Sequence, residues 1–320
     1  MRYVTFHGII AARKVVSRFL KSTPLTHYPE LSEKLGFQAN IKHENHLPTG
    51  SFKVRGGINF MSNLPTEQKK QGVVTATRGN HGQSIAYAAA QFGVKATIVV
   101  PHGNNREKNS AMHAFGAELI EHGNDFDEAR ELCDTLQAER GLYYVHPCIE
   151  PALIHGVGTY SLEIFESLPD VHTIIVPIGG GSGVCGAITV AKAINPNVKI
   201  IGVQAENAPA IYRSWKAGEH IETDSCNTIA DGLATRVPFK LPFSIIKEGI
   251  HDIVTVSEEE IRAGIRSALR HTHNLAEGAG VAALAAAKKL KDKLAGQNVA
   301  MIMSGGNLDM DTLKEVLTDS

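Results

Sequence analysis

Lys53 lies in the segment HLPTGSFKVRGG (His46–Gly57), with Ser51 and Phe52 before it and Gly56 and Gly57 after. A lysine that forms a Schiff base must be partly neutral, and small or apolar neighbours supply the low dielectric that lowers its pKa. The same placement also suits a surface lysine at a helix start. A second segment, TATRGNHGQS (Thr75–Ser84), reads as a strand, a tight glycine turn and a helix. It gathers backbone N–H groups and the Thr77, Asn80 and His81 side chains at a helix N-terminus, where a carboxylate is favoured. The plainer reading is an Asn that caps the helix and a His that is structural.

A third segment, PIGGGSGVCGA (Pro177–Ala187), follows a strand and opens a helix, so its N–H groups can cradle a phosphate dianion. Gly181, Gly183 and Gly186 also spell GxGxxG, and Glu206 ends the next strand. That pattern is the dinucleotide fingerprint with its ribose acid, and a nicotinamide-dependent oxidoreductase stays open on this segment alone. A fourth, MSGGNLD (Met303–Asp309), puts Ser304 at the end of a strand. Its hydroxyl suits a ring nitrogen, or simply a glycine turn. Glu277, in NLAEGAGVAALAAA (Asn274–Ala287), is either a site residue or an acid favoured by the dipole of the helix it precedes.

These segments need strands and helices to hold them. Short β-branched runs recur, each but the last followed by a helix-like stretch. Val73–Thr77 leads into Gln83–Phe92, Ala96–Pro101 into Glu107–Phe115, and Thr173–Gly179 into Val184–Ile194. Ile200–Ala205 leads into Ala210–Ala217, Ile253–Val256 into Glu258–Thr272, and Val299–Ser304 is the last strand. Strands that are apolar throughout and alternate with helices predict parallel sheets covered on both faces, an α/β class. Ligands then bind at the carboxyl ends of strands, where three of these turns lie. The start, MRYVTFHGIIAARKVVSRF, predicts a short strand or turn leading into an amphipathic helix, and not a signal peptide.

Composition narrows the class without choosing a reaction. The 320 residues suit two domains. Hydrophobic residues make up 43% and charged residues 20%, a globular balance, and the net charge of −1 favours neither nucleic acid nor an anionic membrane. Cys133, Cys148, Cys185 and Cys226 form no CxxC pair, which argues against a zinc site or disulfide framework and fits a reducing, cytoplasmic compartment. No apolar run is long enough to span a membrane.

Taken in order, the four segments resemble the fold-type II, pyridoxal 5'-phosphate (PLP) dependent family that contains threonine dehydratase and serine racemase. The resemblance covers nearly the whole chain. It implies two open parallel-sheet domains like those of the tryptophan synthase β chain: a smaller one at 46–146 and a larger, cofactor-binding one made of 1–45 and 147–320. It implies Lys53 as the Schiff-base lysine and later the base at the substrate α-carbon, Phe52 near the ring, and Asn80 beside the cofactor's 3'-oxygen. Gly179, Gly180, Gly181, Ser182 and Gly183 would hold the phosphate, and Ser304 would meet the pyridine nitrogen. Thr77, Gly79, Asn80 and His81 would hold the substrate carboxylate, with Ser51 and Arg78 in the same substrate-binding set. The implied reaction is β-elimination on a small hydroxy amino acid, L-threonine or L-serine, giving a 2-oxo acid and ammonia. A neutral serine at the ring nitrogen favours elimination over transamination. A homodimer or homotetramer is the expected assembly.

The sequence departs from the family pattern in places that carry consequences. Racemase-like members have a serine as second base where this chain has Arg78, and arginine stays protonated. Where the family binds a divalent cation after the strand IIGV, this chain has Gln204 and Ala210, so no metal is expected. Gly278 stands where racemases tend to carry proline. The chain ends soon after the SGGN turn, so no regulatory domain or isoleucine feedback is expected. The alternatives are 3-hydroxyaspartate as substrate, which Arg78 could pair with, a racemase, or a silent PLP- or amino-acid-binding protein.

Overall fold

The computed structural model describes residues 3–124 and 126–318. Among them are ten strands: β1 (Leu25–His27), β2 (Gln38–His43), β3 (Val73–Ala76), β4 (Ala96–Val100), β5 (Glu118–Glu121), β6 (Tyr143–Tyr144), β7 (Thr173–Pro177), β8 (Lys199–Ala205), β9 (Asp252–Val256) and β10 (Asn298–Met303). They form two sheets. One has the order β5-β4-β3-β6 and is parallel throughout. The other has the order β1-β2-β10-β7-β8-β9 and is parallel except for β1, which runs antiparallel to β2. This is the α/β architecture with two parallel sheets that the alternating pattern predicts.

The chain divides into two compact units, residues 1–21 with 52–157 and residues 22–51 with 158–320. The boundaries differ from the expected 46–146 at three places, each for a packing reason. Helix Phe6–Val16 packs on helix Lys53–Asn63 and joins the unit of the four-stranded sheet. Residues 46–51 stay with the six-stranded sheet, because Ser51 bridges Gly305 and Gly306 N–H donates to the Gly50 carbonyl at 2.8 Å. The start of helix Pro151–Ser167 packs tightly on helix Lys53–Asn63: a Cβ on Gly56 would lie 2.9 Å from the Leu153 carbonyl, and one on Gly156 would strike that of Arg55.

Within the first unit, β3 and β4 are wholly buried, as expected for strands covered on both faces, whereas β5 is half-exposed. Helix Asn80–Phe92 packs closely on helix Lys53–Asn63: a Cβ on Gly57 would lie 2.5 Å from Ser84 Oγ, and that hydroxyl donates to the Lys53 carbonyl at 2.7 Å. Within the second unit, the alanine-rich helix Gly278–Lys289 buries most of its surface against the sheet, and only small side chains permit that close approach. Helix Glu258–Thr272 begins with a capping box between Ser257 and Glu260 and carries three acids in its first turn and Arg270 and His271 in its last. At the N-terminus the expected helix is present as Phe6–Val16, capped by Thr5, and the described residues before it form no strand.

Candidate active site

In the first unit, Lys53 is the first residue of its helix. Its Nζ lies 5.3 Å from the centroid of the Phe52 ring. Burial pushes its pKa below the ordinary lysine value, and its coupling to the Cys148 thiol opposes that shift. Cys148, which the sequence reading did not single out, is buried, and burial pushes its thiol up to about 11. Lys53 therefore gives up its proton more readily than a surface lysine, the property that nucleophilic attack on a carbonyl requires.

The Thr77–His81 turn connects β3 to helix Asn80–Phe92. Thr77 Oγ accepts from the Gly79 and Gly82 N–H groups at 3.0 and 3.2 Å. Thr77 thus anchors the turn, and the helix has no side-chain hydrogen bond at its cap. His81 Nε2 contacts the Val145 carbonyl at 3.3 Å. Burial first, and the Lys53 charge second, lower the His81 pKa to about 3. The imidazole is therefore neutral, with its Nε2–H donated to Val145, and the backbone N–H of His81 remains for an anion. No acid occupies the first turn of the helix. Arg78 is exposed and pairs with no described carboxylate of its own unit. Lys108 is buried, and its stem lies where a Cβ on Gly79 would come within 2.6 Å of its Cδ.

In the second unit, the loop Gly179–Gly183 leaves β7 and opens helix Ser182–Ile194, whose first turn also has no acid. Gly181 has φ +95°, in the left-handed region, and a Cβ there would lie 2.8 Å from Pro242 Cβ. A Cβ on Gly179 would strike the Gly232 carbonyl. The Tyr160 hydroxyl donates to the Gly183 carbonyl at 2.9 Å.

Ser304, buried, follows β10, and the turn after it packs on Thr49–Ser51: Asn307 Nδ2 donates to the Thr49 carbonyl at 2.9 Å. Ser51 is fully buried, and its Oγ has no hydrogen-bond partner among the described residues. Glu277 donates its backbone N–H to the Gly305 carbonyl at 3.1 Å, and its carboxylate lies where a Cβ on Gly305 would fall. Its side chain does not cap the helix it precedes. Gln204 is fully buried; its Oε1 accepts from Tyr212 N–H at 2.7 Å, so the amide serves the start of helix Ala210–Ala217.

The residues of the second unit fit a phosphate-bearing ligand. The orphaned buried hydroxyl of Ser51, a glycine loop that a Cβ would fill, and a helix start free of acids are features that an anionic, polar ligand satisfies.

Comparison with known proteins agrees. The family model described as "Pyridoxal-phosphate dependent enzyme" matches residues 16–305. The chain is 39% identical to the L-threonine ammonia-lyase of Thermotoga maritima over 98% of this chain and 78% of that protein. The processed form of threonine deaminase isoform 2 from Solanum lycopersicum has a TM-score of 0.93 at 34% identity, covering 98% of this chain and 87% of that one. Maize serine racemase has a TM-score of 0.94 at 30% identity, covering 99% of this chain and 98% of that one. The dinucleotide reading of Gly181, Gly183 and Gly186 thereby loses its ground, and the chain belongs to the pyridoxal-phosphate dependent enzymes of fold-type II.

Proposed function

We propose that this chain is an ammonia-lyase that dehydrates L-threonine, and L-serine as a second substrate, to the 2-oxo acid and ammonia. The observation that carries the reading is a lysine held below its ordinary pKa by burial, in a family whose members are PLP-dependent. Near-full-length likeness to the ammonia-lyase of Thermotoga maritima supports the substrate.

Lys53 holds the cofactor covalently, and its freed amine takes the proton from the substrate α-carbon. PLP supplies, when bound, an electron sink for the charge that develops at that carbon. Phe52 lies near the ring and Asn80 beside its 3'-oxygen. Gly179, Gly180, Gly181, Ser182 and Gly183 hold the phosphate through backbone N–H groups. Ser304 would meet the ring nitrogen with a neutral hydroxyl, a partner that favours loss of the β-hydroxyl. Thr77, Gly79, Asn80 and His81 receive the substrate carboxylate, His81 through its backbone N–H. Ser51, whose hydroxyl is orphaned, completes the substrate set. We extend the proposal to a homodimer or homotetramer in the cytoplasm, with light scattering as the check on assembly.

The test is an absorbance scan of the purified protein followed by an ammonia-release panel of L-threonine, L-serine and 3-hydroxyaspartate. A yellow protein that releases ammonia from threonine supports the reading. A yellow protein silent on every hydroxy amino acid defeats it.

The exposed Arg78 favours one second reading, 3-hydroxyaspartate, because its guanidinium is available to a second substrate carboxylate. Arg78→Ala should then weaken kcat/KM for the acidic substrate alone, by about 1.5–3 kcal/mol. An equal effect on all three substrates would exclude it. Arginine cannot relay a proton at neutral pH, so racemisation of serine should be slow compared with elimination.

A further inference from the structure

The glycine loop and the strand before Ser304 are spanned by buried polar side chains that no step above uses. Lys42, at the end of β2, is fully buried. Its Nζ donates to Glu163 Oε2 at 2.5 Å and to the Thr23 carbonyl at 2.7 Å. Glu163 also accepts from Thr23 N–H at 3.2 Å, and Thr23 Oγ donates to Glu44 Oε1 at 2.6 Å. One turn before Glu163, on the same helix Pro151–Ser167, stands Tyr160, 1% exposed, with its hydroxyl on the Gly183 carbonyl at 2.9 Å. At the other end, Lys42 pairs in register with Ile302 of β10, two residues before Ser304.

A chain of four links thus runs from Gly183 through Tyr160, Glu163 and Lys42 to β10, the strand that Ser304 follows. An ion pair this deeply buried loses hydration that its attraction offsets only with good geometry. Its contribution to stability alone is a weak reason for its presence, and its position is more telling. The phosphate and the pyridine nitrogen of PLP are held within a narrow range of separations by the ring and its short phosphate linker. Two contact points for them must hold a matching separation. A hydroxyl donated to the Gly183 carbonyl also fixes the orientation of the peptide that closes the loop Gly179–Gly183.

We propose that Tyr160, Glu163 and Lys42 are positioning residues for the cofactor, a buried strut that sets the phosphate loop and the Ser304 turn at a fixed separation. The inference rests on the reading that Gly179–Gly183 hold the phosphate and Ser304 the ring nitrogen.

The test is the dissociation constant for PLP, measured by fluorescence on apoprotein well below its melting temperature, for the wild type and two variants. Tyr160→Phe removes one hydroxyl and keeps the ring. The double variant Lys42→Met with Glu163→Leu removes both charges together, so that neither is left buried alone. Each should raise Kd for PLP about fivefold, the scale of one net hydrogen bond. The KM for L-threonine at saturating cofactor should shift less than about twofold, and the Tm of Tyr160→Phe apoprotein should stay close to wild type. A purely structural role would lower Tm and leave Kd for PLP where it is, and wild-type Kd in both variants overturns the proposal. A wild type that binds no PLP is a separate outcome: it removes the functional reading on which the strut depends.

Discussion

Two lysines eleven residues apart in sequence meet opposite fates. Lys42, in the second unit, is fully buried and held against Glu163 and the Thr23 carbonyl. Lys53, in the first unit, is less completely covered, lies over the Phe52 ring, and has its pKa lowered chiefly by burial. The difference teaches that burial does not by itself mark a reactive lysine. A carboxylate in contact favours the ammonium form, and Glu163 gives Lys42 that contact. Desolvation as the leading influence makes the neutral amine accessible, as at Lys53.

Substitution breaks the comparison most sharply at Lys53. Lys53→Ala should lower ammonia release by at least about a thousandfold, because covalent anchor and base vanish together. Turnover near wild type, with the yellow adduct still reducible by borohydride, would remove Lys53 from the mechanism.

Lys42→Ala should show the reverse emphasis. It leaves the Glu163 carboxylate buried without its cation, at a cost of about 3–5 kcal/mol on urea denaturation. A loss below 1 kcal/mol, on the order of a surface pair, would mean that the two lysines differ less than their contacts indicate.

Acid sharpens the contrast within the first unit. His81 is neutral when folded, with a pKa lowered from 6.5 to about 3. Between those values the unfolded chain binds the extra proton, so stability rises with pH. The contribution is complete above about pH 6.5 and lost as pH falls toward 3, on the order of 3 kcal/mol at pH 4. His43 and His146, each lowered to about 4, add in the same direction. His81→Asn should flatten the Tm-versus-pH profile in this window, and an unchanged slope would contradict the assignment.

The smallest expected effect is none. Gln204 is committed to Tyr212 and Ala210 has no donor, so dialysis against EDTA with saturating PLP should leave activity within error. Loss restored by Mg²⁺ or Ca²⁺ would place a cation elsewhere.

Apolar runs with glycine turns were the legible part of the chain. The strands at 73, 96, 173, 200 and 253 emerge within about a residue of where the pattern puts them, and helices Ala210–Ala217 and Glu258–Thr272 match at both ends. The sequence pattern does not mark β1, β2, β5 and β6. LTH and the two tyrosines are too short to show a period, QANIKH alternates but holds only two apolar residues, and ELIE is an edge strand flanked by acids. Ser51 and Lys53, one motif in the sequence, fall in different compact units.

The sequence by itself determined the α/β class, the parallel sheets and the four turns, because these depend on local pattern: β-branched runs, helix periodicity and glycines where the backbone must turn. Tertiary structure alone decided what each polar side chain does. Lys42 sits in the run KHEN, which reads as solvated surface, and becomes a buried ion pair only because Glu163 arrives from 121 residues away. Tyr160 reaches Gly183, and His81 reaches Val145, by the same kind of long-range packing. Protonation and partner choice follow from the dielectric and the neighbours that folding assembles, and neither is written in the spacing of residues along the chain.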